Sequence, residues 1–140
     1  MNRESNTRVT VRPWARWLFR VAITLEALLA FAQPVLAGGF LSGDYDMLQF
    51  HKLNATYTGY AAMFVAVAGI LLWKPGRGPG WIALIGVLQL VVVLVQYTLG
   101  FGHVLLLHIP LGVAIVGGLV PLLIWSWRSP DRARPVQVQS

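Results

Sequence analysis

Three histidines, His51, His103 and His108, and one acid set deep in apolar sequence, Glu26, are the side chains best suited to chemistry in this 140-residue chain. Neutral imidazole is a borderline-soft ligand that suits haem iron. The chain has no cysteine, which excludes disulfides, thiolate metal sites, iron–sulfur ligation and covalent c-type haem attachment. A closed non-haem metal site would need carboxylates or further histidines at the same point. Only Asp44 and Asp46 lie near His51 in sequence, and both belong to a loop.

His51 heads the run from Asp44 to Trp73. In a helix, Ala55, Thr58, Gly59, Ala62, Ala66 and Gly69 stack on its face, following the i, i+4, i+7, i+8 pattern. A histidine above a stripe of small side chains leaves a hollow, which either a neighbouring helix or a flat ligand can fill. Gly112, one turn after His108, repeats the feature on a smaller scale. His103 cannot share a face with His108, because five residues turn a helix by about 140°, and it reads as a solvated loop residue.

Intramembrane acids are costly and suggest function by default. Gln33 shares the face of Glu26 seven residues on, and Gln89 shares a face with Gln96. A proton relay is one reading of these four residues. The preferred one is a protonated Glu26 in an amide cluster holding the first and third helices together.

The elements that position these groups follow from composition. The chain is 56% hydrophobic and 11% charged, too apolar for a soluble domain of this size. Four spans are expected, at about 14–37, 45–73, 81–100 and 104–127, between cytoplasmic tails at 1–13 and 128–140. Each is long enough, since about 20 helical residues cross a hydrocarbon core of about 30 Å. The basic start and the V-L-A ending at Ala37 also suit a cleaved signal peptide. Glu26 favours a retained helix, because a signal sequence has no use for a buried acid. Asp44 is the expected N-cap of the second helix, and KPGRGPG ends that helix with prolines and glycines. Pro110 frees the carbonyl of Leu106 and is expected to bend the fourth helix just after His108.

Eleven Lys and Arg stand against five Asp and Glu. They flank the apolar runs as topology signals do, which excludes a nucleic-acid reading. Only Lys52 falls on the side of Asp44 and Asp46. Both termini are therefore expected in the cytoplasm, in an all-α, up-down-up-down four-helix transmembrane bundle of the plasma (inner) membrane. All six tryptophans map to the cytoplasmic ends. From Trp73, His51 lies about 33 Å away, and from Trp127, His108 lies about 29 Å away and His103 about 36 Å. His51 and His108 thus share a depth and can clamp one iron from both sides. An interfacial coincidence, with small residues serving as a packing seam, stands beside that reading.

FHKLNATYTGYAAMFVAVAGILL and VQYTLGFGHVLLLHIPLGVAIVGGLV resemble the second helix, and the third-to-fourth helix stretch, of one half of heme A synthase. They are also similar to small four-helix bacterial membrane proteins with F-x-L-H or F-H in helix two and L-H-x-P in helix four. The resemblance spans Leu25 to Trp127 and implies haem b with His51 and His108 as axial ligands. Ala55, Gly59 and Gly112 would then give room, and Lys52 would meet a propionate. Heme A synthase carries a glutamate three residues before the helix-two histidine, where this chain has Leu48, and many members have loop cysteines. A haem binder or electron carrier is therefore expected before an oxygenase that uses Glu26 or Asp46. A cofactor-free subunit or assembly partner of a larger respiratory or membrane complex is the alternative, and a homodimer would complete a single half.

Overall fold

Pro13 sits in the first helical turn, where its missing N–H costs nothing, and opens α1 (Pro13–Leu41). The computed structural model describes residues 10–128. Three more helices follow: α2 (Asp46–Trp73), α3 (Gly80–Phe101) and α4 (Leu105–Arg128). The tails expected at 1–13 and 128–140 lie largely outside the described residues. All four helices are long and apolar enough to cross a membrane, with mean hydropathies of 1.7, 1.6, 2.3 and 2.2. The chain is an all-α, multi-pass membrane protein by length and composition.

Two boundaries differ from expectation. α1 continues through Gly38–Leu41 and stops only where Gly43 takes a φ of 102°, a value that favours glycine. Its N–H reaches the carbonyl of Phe40 at 3.0 Å. Asp44 does not cap α2. The N-cap is Tyr45, without a side-chain bond, and Asp44 Oδ1 instead accepts at 3.2 Å from the N–H of Asp46, which opens the helix where a loop residue was expected. Pro34, Pro110 and Pro121 all lie within helices.

α2 packs against α1 and α3, while α4 closes the ring against α1 and α3. The diagonal pairs make no close backbone approach. Between α2 and α3 the backbones approach closely at two glycines. A Cβ added to Gly86 would stand 3.1 Å from Ala66 Cα, and one on Gly69 would stand 3.1 Å from the Ile82 carbonyl. Small residues let membrane helices come this near, which is how dispersion substitutes for the missing hydrophobic drive.

The tryptophans gather at one end. Trp81 meets Trp125 at 4.8 Å and Trp17 meets Trp127 at 5.6 Å between ring centroids. There Arg20 Nε donates to the Ser126 carbonyl at 2.8 Å, with its guanidinium over Trp17 and Trp127. The buried core, built on Phe19, Ile23, Val65, Ile82 and Leu119, fills this end and the middle. It stops at Ala30, Thr58, Val93 and Ile115, beyond which no described residue is buried. The histidines stand in that less filled end.

Candidate functional site: a histidine pair between two glutamine carbonyls

His51 of α2 and His108 of α4 face each other across the diagonal, with ring centroids 6.3 Å apart and planes at 70°. Each ring is tethered by the helix that precedes it. His51 Nδ1 lies 3.2 Å from the Gln33 carbonyl of α1, and His108 Nδ1 lies 3.0 Å from the Gln96 carbonyl of α3. A carbonyl only accepts, so each Nδ1 carries the proton and each Nε2 keeps its lone pair. Neither Nε2 has a hydrogen-bond partner among the described residues. This is the tautomer and tether that metal-binding histidines use. Two imidazoles at this separation, each with a bare Nε2, could hold one metal between them. Edge-to-face ring pairs also fall within about 4.5–7 Å, so separation alone does not distinguish the two.

The hydrogen bonds define two polar layers. In the outer one, Gln33, His51, Gln96 and His108 meet. Gln96 Nε2 also donates to the His108 carbonyl at 2.8 Å, while Gln33 Oε1 and Gln96 Oε1 are buried and unpartnered among the described residues. Two turns inward, Gln89 Nε2 donates to Glu26 Oε1 at 3.3 Å. The expected single cluster of Glu26, Gln33, Gln89 and Gln96 is therefore divided: only Glu26 and Gln89 pair, and the other two serve the histidines through their backbones. Between the layers, Asn54 Nδ2 donates to the Leu29 carbonyl at 2.8 Å.

The small-residue stripe is divided as well. Ala66 and Gly69 are consumed by the seam with α3. Ala55 and Gly59 are half-buried, and a Cβ on Gly59 would meet nothing within 4 Å. Gly112 makes room for a different group than expected, since its Cβ would stand 2.9 Å from Gln96 Nε2. Space for the His108 ring comes instead from Gly100, where a Cβ would stand 2.8 Å from Cε1. Lys52 is exposed beside His51, and His103 is an exposed loop residue with a φ of 58°. Leu48 is half-buried one turn before His51. An apolar groove of about 510 Å³ between α1 and α2, lined by Leu25, Leu29, Tyr57, Tyr60 and Phe64, does not include either histidine.

Sequence reasoning missed the two carbonyl tethers and Gly100. One signal could have found the tethers: α1 and α3 carry matched spacings, Glu26-x6-Gln33 and Gln89-x6-Gln96, each followed by the histidine of the next helix. No group of three or more His, Cys, Asp or Glu able to hold a metal occurs among the described residues. The histidine pair thus offers two imidazole nitrogens and no carboxylate. No family model, no curated protein and no solved structure matches the chain.

Proposed function

We propose that this protein binds a b-type haem in the membrane, with His51 and His108 as axial ligands, and serves one-electron transfer or haem handling. The observation that supports this reading most is the paired tether: two imidazoles at a metal-bridging separation, each with Nδ1–H held by a backbone carbonyl and Nε2 left bare. Such outer-shell bonds fix ring orientation and raise ligand basicity, and losing one typically weakens metal binding about 10–100-fold. Gly59 leaves open space on the helix face beneath His51, and Ala55 between them is half-buried. Lys52 is the cation at that end suited to a propionate. A bound haem would supply a reversible Fe(III)/Fe(II) couple, and the chain's part is to hold the rings and exclude bulk water. The distribution of Arg12, Arg16, Arg20, Lys74, Arg77 and Arg128 against Lys52 supports a bacterial inner-membrane setting with both termini cytoplasmic.

The test is an absorption spectrum of protein purified after expression with ample haem. A Soret band that His51→Ala and His108→Ala each abolish is the expected result. A colourless protein, or a spectrum indifferent to both substitutions, overturns the reading. The 6.3 Å edge-to-face contact then remains as ring packing in a cofactor-free bundle.

A further inference from the structure

Glu26 is fully buried, and its Oε2 has no partner among the described residues. An unpaired carboxylate in an apolar interior is costly, whereas a protonated carboxyl that both accepts and donates is tolerated there. The registry around it is regular. Gln33 faces His51 and Leu29 faces Asn54, which sets Thr58 opposite Glu26. Gln96 meets His108 two turns outward of Gln89, which sets Ile115 in the same layer. Thr58 is buried and donates to the Asn54 carbonyl at 2.8 Å. The α2 face of the Glu26 layer thus carries a polar sequence, Thr58 to Asn54 to His51, that climbs to the end where no described residue is buried. The other directions are closed: Ala30, Val93 and Ile115 are buried apolar residues.

We propose that Glu26 is an exchangeable proton-binding site within the membrane, reached from the histidine end along Thr58 and Asn54, with Gln89 holding its carboxyl in place. The proton comes from and returns to water at that end, so no other reactant is required. No second ionisable side chain shares its layer, which α2, α3 and α4 complete with Thr58, Gln89 and Ile115. Outward, the nearest charged or titratable groups facing the interior are His51 and His108. Inward it is Arg20, engaged with Ser126, Trp17 and Trp127. Neither Glu26, Gln89, Thr58 nor Asn54 is a proposed haem ligand, although the route opens at the level of His51.

Infrared spectroscopy of the full chain in lipid nanodiscs, with and without added haem, tests this. The expected result is a protonated-carboxyl stretch that Glu26→Gln removes while helical content is kept. On transfer to deuterium oxide, that band shifts promptly in the unaltered protein. In Asn54→Leu, and in the isosteric Thr58→Val, the shift is at least tenfold slower. A band insensitive to deuterium in folded protein, exchange at one rate in all variants, or no band that Glu26→Gln removes would each overturn the proposal. Measured in the haem-free samples, these outcomes do not depend on the Soret result.

Discussion

At the scale of single residues, the roles divide between atoms that would bind and atoms that make room. Gly100 lies against the imidazole of His108, and Gly112 lies against the flexible amide of Gln96. The ring cannot yield without leaving its carbonyl, whereas the amide, although bonded to the His108 carbonyl, ends a flexible side chain. Gly100→Ala is therefore expected to cost about 1–3 kcal/mol by overpacking and to lower haem occupancy. Gly112→Ala should do distinctly less of both, as compared by denaturation and by haem content per protein. His108→Met offers a second check: a Met/His ligand pair raises the haem potential, so redox titration should show a higher midpoint with the haem retained. That His51 and His108 come together was legible from type and depth alone. What holds them was not, because a backbone carbonyl has no residue signature, and Gln33 and Gln96 drew notice for side chains that the tethers do not use.

At the scale of helices, α2 is the element on which the others are assembled. Its inner half gives Ala66 and Gly69 to α3, and its outer half gives His51 and Asn54 to α1. Gly86→Val inserts carbon where Ala66 Cα and the Val65 carbonyl already sit within 3.2 Å of a single Cβ. A loss of about 1–3 kcal/mol or more is expected, read as a lower thermal midpoint. Gly117→Ala and Gly118→Ala, where an added Cβ meets nothing within 4 Å, should be neutral or stabilising by up to about 1 kcal/mol. The four spans could be read from hydropathy to within a few residues. The exception was the end of α1, where Gly38 and Gly39 suggested a turn but the helix ran on to Gly43. Glycine weakens an isolated helix by about 1 kcal/mol relative to alanine, and satisfying the backbone inside an apolar medium outweighs that. The stripe below His51 was legible as a hollow, yet only three-dimensional placement shows α3 filling its lower part and not its upper.

At the scale of the whole molecule, charge and packing are both polarised. Arg20, the tryptophans and the buried core occupy one end, and the imidazoles and half-buried amides occupy the other. The proposed orientation follows from that asymmetry. A fluorescent reporter that folds only in the cytoplasm should be bright when fused to either terminus and dark when inserted at Gly43. The distribution of Lys and Arg in the sequence is the basis of that proposal. The confinement of the core to one end was not legible there, since all four helices look uniformly apolar in sequence. The buried residues of α4 are Ile115, Leu119, Leu122 and Ser126, with nothing buried from Leu105 to Ala114, where His108 and Gln96 join α4 to α3 by hydrogen bonds. Its first ten residues therefore rest on hydrogen bonds and partly buried contacts in place of a buried core, which favours local opening there. This bears on the order of biogenesis. The polypeptide can finish insertion with its far end ajar and admit a broad, flat guest sideways from the lipid afterwards, so protein matured without haem should still acquire it when haem is added to the finished membranes.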